Sequence, residues 1–252
     1  MPLAILSIAG SDPTGRAGHQ KEKEILRAMG IQHHTVTTAD TRQNDEGVLA
    51  VTPRPIGDIS AGIGAVILMG IGAAKTGMFP SAAHIKEASF SLQSTPPPFL
   101  VVDPVIAPTV GNPFLDGQGV DALRTDLIPL ATIITPNIPE ASALSGQVIS
   151  TRSDMERAAR SLLSLGCQAI LLKGGHLKGE TSPDLLYGKE ESMWFESPRK
   201  EGFVRGTGCA FSAALAGGLC KGRPIVEAVR EAKNIVSNLF EIQCQKDVDL
   251  LE

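Results

Sequence analysis

Short apolar runs that end in polar or glycine-rich corners alternate along this chain with stretches of helical periodicity, and this alternation restricts the fold more than any other feature. Residues 4–9, 73–76, 100–103, 132–135 and 169–172 read as strands buried on both faces, the pattern of a mostly parallel sheet. Parallel neighbours need crossovers, so the intervening helices belong on the faces of that sheet. Residues 21–29 form the first such helix. In another, Ser153 and Glu156 match a capping box. Met155, Ala158, Ala159, Leu162 and Leu163 then follow on one face, and Gly166 supplies the stop. A further helix begins near Gly208 and buries Phe211, Leu215 and Leu219. The last runs from about Ile225 to Cys244, with Val226, Val229, Val236 and Phe240 as its inner stripe. Pro96, Pro97 and Pro98 fall between a helix and a strand and read as a connection. No repeat or composition shift divides the 252 residues, so one domain spanning 1–252 is expected.

Charge and cysteine usage narrow the function. With 23 basic against 27 acidic residues the net charge is −4, which gives no basic surface for a nucleic-acid backbone. Cys167, Cys209, Cys220 and Cys244 are far apart with no C-x-x-C pair, a pattern of reduced thiols and not of a disulfide framework or zinc site. The opening MPLAILSIAGSD has too short an apolar run, and no charged start, for a signal peptide. No uncharged apolar stretch approaches the roughly 18 residues of a membrane span. A soluble, cytoplasmic protein without a membrane partner is expected. His19, His33, His34 and His84 show no metal-ligand spacing and are expected in surface or core roles.

Ligands of open parallel sheets bind beyond the carboxyl ends of the strands. Asp12, Asp103, Asn137, Glu140 and the Lys173-Gly174-Gly175 run all fall at such ends. Each alone is also an ordinary way to end a strand; only convergence on one rim would give them a common purpose. The sharpest local signal is Gly206-Thr207-Gly208-Cys209, followed by a small, apolar helical turn. Two readings stand for it. Its backbone N–H groups suit phosphate oxygens at a helix start, where positive potential also lowers a thiol's pKa and favours a thiolate at Cys209. Alternatively it is a turn beside a buried structural cysteine. It is not a P-loop, because no Lys-Ser/Thr pair ends the glycine run.

Taken together, SIAGSDPTGRAG (7–18), QN (43–44), KTGM (75–78), VVDPVIA (101–107), ITPNIPEASAL (134–144), LLKGGHL (171–177) and GTGCAFSAALA (206–216) resemble, in order and spacing, the hydroxymethylpyrimidine and phosphomethylpyrimidine kinases of the ribokinase-like superfamily. The resemblance implies a three-layer α/β/α sandwich with a largely parallel central sheet. It also implies transfer of the γ-phosphoryl group of ATP, with Mg2+, to a substrate hydroxymethyl in thiamine biosynthesis, and a homodimer. It places Gln43 as the amide that reads the pyrimidine and Met78 as a wall of a pocket shared with Gly10, Asp12, Glu22 and Val105. It sets Asp103 and Glu140 near magnesium, acting through water, and Asn137 and Lys173 on the nucleotide side. Gly206, Thr207 and Gly208 become the anion hole, and Cys209 the catalytic base. His176 shapes the KGGHL turn.

The chain departs from the family pattern in three places. Arg16 stands where a glycine is usual, Ala17-Gly18-His19-Gln20-Lys21-Glu22 replaces AGIQAD, and Arg205 takes the place of a histidine. Arg205 reads either as a phosphate contact or as a solvated arginine. A pyridoxine or pyridoxal kinase on the same scaffold, or a catalytically weak pyrimidine-binding relative, are the alternative functions.

Overall fold

A computed structural model describes residues 3–44, 47–108, 111–189, 192–199 and 204–249, with side chains described as far as residue 242. The side chain of Cys244, one of the four cysteines expected as reduced thiols, therefore lies outside the described side chains. Strand β1 (Ala4–Ser11) is followed by α1 (Gly18–Ala28), β2 (Gln32–Asn44) and β3 (Gly47–Pro53). Then come α2 (Ile56–Leu68), β4 (Ala73–Thr76), α3 (Ala82–Ser94) and β5 (Leu100–Val102). Helix α4 (Gly117–Ala122) runs on through a π turn (Leu123–Leu127) and a 3-10 turn (Ile128–Leu130) to β6 (Ile133–Ile134). Helices α5 (Ile138–Ser145) and α6 (Arg152–Leu163) precede β7 (Ala169–Leu172), the pair β8 (Thr181–Gly188) and β9 (Ser192–Pro198), and finally α7 (Thr207–Cys220) and α8 (Ile225–Asp249).

The strands form one nine-stranded sheet in the order β3-β2-β1-β4-β5-β6-β7-β8-β9. All pairings from β2 to β7 are parallel, while β3, β8 and β9 add antiparallel edges. Side chains alternate across a strand, so the sheet divides two cores. Ile5, Ala73, Val101, Ile133 and Leu171 pack with Ile25 and Leu26 of α1 and with α7 and α8. Leu6, Ile8, Ala74, Val102, Ile134 and Leu172 pack against α2 to α6. This is the expected three-layer α/β/α sandwich.

Two features of this arrangement create the site. Strand β1 is flanked by β2 and β4, both parallel to it, and their helices α1 and α2 pack on opposite faces. The loops leaving β1 and β4 diverge there, and a crevice opens beyond their carboxyl ends. Helix α7 is buried along its whole length from Ala210 to Cys220. A helix without a polar face is a central one, and its small residues let it wedge between α1, α8 and the sheet. Its N-terminus is thereby fixed at the crevice.

The sequence-derived strands all form, 73–76 and 169–172 with the expected ends. The antiparallel edges went unread because their faces are half-exposed and interrupt any apolar run. Helix α1 starts three residues earlier than expected. The capping box of α6 is made by Thr151 and Asp154, not by Ser153 and Glu156. Asp154 also accepts from the backbone and hydroxyl of Ser150, so the earlier pair fixes the helix start. In α8 the fully buried positions are Ala228, Val229 and Ala232, whereas Val226 and Val236 are only partly buried. Among the described residues no helix is long and apolar enough to cross a membrane.

Candidate active site

At the β1 and β2 end of the crevice, polar side chains are tied to one another. Asp12 is buried; its Oδ1 accepts from the backbone (2.9 Å) and hydroxyl (2.7 Å) of Thr14 and its Oδ2 from the Ala17 backbone (2.8 Å). The carboxylate that the resemblance assigns to substrate thus organises the loop after β1. Gly10 packs closely on Met78: a Cβ there would meet Met78 Cε at 2.6 Å, so the methionine tip would have to move aside. Met78 is buried against it. Gln43, near the end of β2, donates from Nε2 to Thr41 Oγ1 (3.1 Å) and accepts at Oε1 from Arg205 Nη2 (2.6 Å). Arg205 is therefore not a free solvated arginine.

Glu22, one turn into α1, is fully buried and ion-paired with the equally buried Lys75 of β4. Its Oε2 is buried with no hydrogen-bond partner among the described residues. Burial alone would depress Lys75, but Glu22, with Cys209 and Asp103 adding to it, raises its pKa above the usual lysine value. Lys75 was missed as a site residue. The signal was a charged side chain inside a four-residue strand that is otherwise small and buried.

The other end of the crevice is a carboxylate–lysine cluster. Asp103, buried just after β5, accepts from Thr135 Oγ1 (3.1 Å), Lys173 Nζ (3.3 Å) and Ser212 Oγ (3.3 Å). Burial pushes its pKa up, but Lys173 and then Lys75 more than offset this, so it lies below the usual carboxylate range. Asn137 and Glu140 form a reciprocal capping box at the start of α5, Asn137 Oδ1 accepting from the Glu140 N–H (2.9 Å) and Glu140 Oε2 from the Asn137 N–H (2.8 Å). Asn137 also bridges Lys173 in parallel register. Burial pushes the Glu140 carboxyl up to about 7; Asp103 adds to the rise, while Lys173 and the Asn137 N–H pull against it. The half-buried Val105 donates its N–H to the Asp103 carbonyl (2.9 Å) and closes the turn after β5.

Helix α7 joins the two ends. Gly206 has φ of +76°, and a Cβ there would run into the Arg16 carbonyl oxygen, so only glycine fits this turn. A Cβ on Gly208 would lie 3.7 Å from Asp103 Oδ2 and 3.8 Å from Lys173 Nζ. The first turn of α7 thus lies beside the carboxylate–lysine cluster, and a helix start, with its unpaired N–H groups, is suited to phosphate oxygens.

Cys209, in that first turn, departs from expectation. Burial pushes its thiol up to about 11; Glu22 and Asp103 add to this, and Lys75 and the Gly18 N–H only partly offset it. The helix start does not leave a thiolate near neutral pH, because the site around it is desolvated. Cys167 is likewise raised, to about 11, in a buried setting away from the site. His84 accordingly proves a scaffold residue, bonded to Ser81 Oγ and the Arg54 carbonyl.

Comparison with known proteins agrees with this geometry. The phosphomethylpyrimidine kinase family profile matches residues 12–249. The hydroxymethylpyrimidine/phosphomethylpyrimidine kinase of Streptomyces coelicolor is 37% identical over 238 residues, covering 94% of this chain and 88% of that protein. The crystal structure of phosphomethylpyrimidine kinase from Clostridium difficile aligns with a TM-score of 0.83 at 38% identity, over 94% of this chain and 98% of that one. An ADP complex of Bacillus subtilis pyridoxal kinase aligns with a TM-score of 0.84 at 34% identity, over 93% of this chain and 90% of that one. The chain belongs to the phosphomethylpyrimidine kinase family, whose members are phosphotransferases.

Proposed function

We propose that this chain, acting as one domain over 1–252 in the cytoplasm and as a homodimer, transfers the γ-phosphoryl group of ATP to 4-amino-5-hydroxymethyl-2-methylpyrimidine, to its monophosphate, or to both. The observation that carries the reading is the meeting of the α7 N-terminus with Asp103 and Lys173 beside Cys209. Phosphoryl transfer asks mainly for positioning and charge neutralisation, and this cluster supplies both. The N–H groups at the Gly206, Thr207 and Gly208 turn hold the transferring phosphoryl oxygens, and Lys173 neutralises them. Asn137 orients the strand end on which the nucleotide lies.

Asp103 and Glu140 suit a magnesium ion: both are buried carboxylates, Asp103 raises the cost of ionising Glu140, and both draw on the Lys173 ammonium. Bound there, magnesium would supply charge stabilisation to the triphosphate, with waters between it and the carboxylates. On the acceptor side, Met78, Gly10 and Val105 shape the ring pocket, Gln43 reads the ring edge, and Glu22 offers its unpartnered oxygen. The thiolate form of Cys209, which the Lys75 ammonium favours, takes the hydroxyl proton and becomes the thiol as the alcohol oxygen bonds to the phosphoryl group and the bond to ADP breaks.

The likeness to the Bacillus subtilis pyridoxal kinase keeps one second reading open, a pyridoxine or pyridoxal kinase. The deciding experiment is ADP release with ATP and magnesium across a panel of pyrimidine and pyridine alcohols. The hydroxymethylpyrimidine is expected to give the highest kcat/KM. Higher kcat/KM on pyridoxal would replace the reading, and ADP release from neither class would end it.

A further inference from the structure

We infer that Arg205 is a specificity-determining positioning residue: its guanidinium holds the Gln43 amide so that the side chain presents only an N–H donor to the ring of the bound alcohol. The inference rests on the proposed function for the nature of that ring. Arg205 Nη2 donates to Gln43 Oε1 at 2.6 Å, and Nη1 donates to the Asn44 carbonyl at 2.7 Å. The fork thus spans a side chain and the next backbone carbonyl, and both bonds are charge-assisted.

The direction of the whole chain of bonds follows. A guanidinium has donors and no acceptor, so it can engage only the oxygen end of an amide. At the far end, the Ser11 carbonyl can only accept, and it takes the Thr41 hydroxyl proton at 2.7 Å. Thr41 Oγ1 therefore has only lone pairs left for Gln43, whose Nε2 donates to it at 3.1 Å. Arg205 to Gln43 to Thr41 to Ser11 is one polarised line, fixed at both ends. Reversing the amide would set N–H against the guanidinium and oxygen against a hydroxyl that has already spent its proton. One Nε2–H remains for a ligand, so the complementary group is an acceptor such as an unprotonated ring nitrogen. A ring whose edge carries an N–H is refused.

Arg205 also directly precedes Gly206, whose turn packs on the Arg16 carbonyl, so the clamp joins the ring-reading strand to the start of α7. The family pattern has a histidine at this position, which offers no planar five-donor fork. The clamp is therefore a property of this chain's own sequence.

Two measurements test the inference. The first compares wild type with Arg205→Ala, Arg205→Lys, Gln43→Ala and the Arg205→Ala/Gln43→Ala double variant. It uses paired alcohols whose ring edge carries either a bare nitrogen or an N–H. Arg205→Ala should raise KM for the bare-nitrogen alcohol roughly 10-fold and narrow the discrimination between the pair. The KM for ATP should hold, Arg205→Lys should recover part of the loss, and Arg205→Ala should have no further effect in the Gln43→Ala background. Additive losses, or a rise in the KM for ATP instead, would overturn the inference.

The second needs no turnover: the Gln43 side-chain N–H2 resonances, assigned by their loss in Gln43→Ala, should be distinct and slow to exchange in wild type and Arg205→Lys. They should exchange quickly with solvent in Arg205→Ala and move toward the shifts of a free glutamine amide. If wild type turns over neither class of alcohol, the proposed function falls while these resonances still decide the clamp; if they are unchanged in Arg205→Ala, the clamp falls alone.

Discussion

The two ends of the crevice are built from similar residue types and solve different problems. Around Asp103, Lys173 and Glu140, two carboxylates draw on one ammonium, and the first turn of α7 lies beside them. That end has charge to offer to something outside the chain. Around Asp12, Glu22 and Gln43, by contrast, charges and amides are largely consumed internally, by a loop, by Lys75 and by Arg205. All three departures from the family pattern touch this second end, and two of them, Arg16 and Arg205, also adjoin the Gly206 turn at the start of α7. On the proposed function the first is the phosphate end, with chemistry common to any ATP-dependent transfer and little room for variation. The second is then the ring end, which would set the alcohol accepted, its internal pairing holding a small number of recognition atoms in fixed directions. Cys209 lies between them, and its thiol responds to Lys75 and Glu22 from one end and Asp103 from the other.

The largest expected effect tests whether Cys209 belongs to the chemistry at all. Cys209→Ala should lower kcat by about 10²–10⁴-fold, the usual contribution of a placed general base, with the KM for ATP little changed. Alkylation should inactivate wild type, with bound alcohol protecting. Because kcat/KM reports the free enzyme and its thiol lies at about 11, kcat/KM should still be climbing at about pH 9. A pH profile already flat at neutrality, or near-normal kcat in folded Cys209→Ala, would leave positioning as the whole mechanism.

Next in size is the buried pair that distinguishes the ring end. Lys75→Met strands the Glu22 carboxylate in the interior, and losing one partner of such a pair costs about 3–5 kcal/mol. A clear drop in the denaturation midpoint is expected. Adding Glu22→Gln removes the stranded charge and should restore much of the stability but not the activity, because the ammonium beside Cys209 stays missing. Full activity in the double variant would reduce the pair to a packing device.

At the proposed phosphate end, Glu140→Gln should weaken the apparent magnesium affinity by about 10–100-fold while the chain stays folded. With its pKa raised to about 7, Glu140 takes up a proton as pH falls through that value, and its attraction for a cation is lost on the acid side. The magnesium concentration for half-maximal rate should therefore rise below pH 7 in wild type and stay level in Glu140→Gln. Asp103→Asn should cost at least as much, since Asp103 is the ion partner of Lys173. Undiminished activity in metal-stripped protein would remove both carboxylates from this role.

The contrast between the ends also governs how much was legible in the sequence. The strand termini and the glycine turn of α7 were readable, because such turns leave their mark on backbone requirements such as the positive φ of Gly206. Asp103, Glu140 and Lys173 were readable as polar residues at strand ends. The pairing of Glu22 with Lys75 was not, since it joins residues 53 positions apart on different elements. The clamp of Arg205 on Gln43 spans 162 positions and leaves no local pattern at all. The protonation of Cys209 was misread for a related reason: a helix start is visible in sequence, whereas the desolvation that outweighs it is a property of the assembled crevice. The edge strands β3, β8 and β9 stayed hidden because half-exposed strands lack the apolar runs that mark the parallel centre.

The smallest expected effect asks whether internal pairing at the ring end also serves selection. Glu22 sits one turn into α1, and its carboxylate reaches Lys75 across the base of the crevice while one oxygen is left without a partner. The family's aspartate at this position is one methylene shorter. In Glu22→Asp the carboxylate either withdraws from Lys75 or draws α1 toward β4, and both shift the unpartnered oxygen relative to the ring. The fold should survive, because the charge pair is loosened and not stranded, and kcat should fall only modestly. What should move is the ratio of kcat/KM values for a hydroxymethylpyrimidine and for pyridoxine, by a few-fold, since the two rings present different groups to the same oxygen. Steady-state kinetics on both alcohols reads the ratio directly. An unchanged ratio alongside a lowered denaturation midpoint would show that Glu22 serves Lys75 alone, leaving Gln43 and its clamp to select the ring.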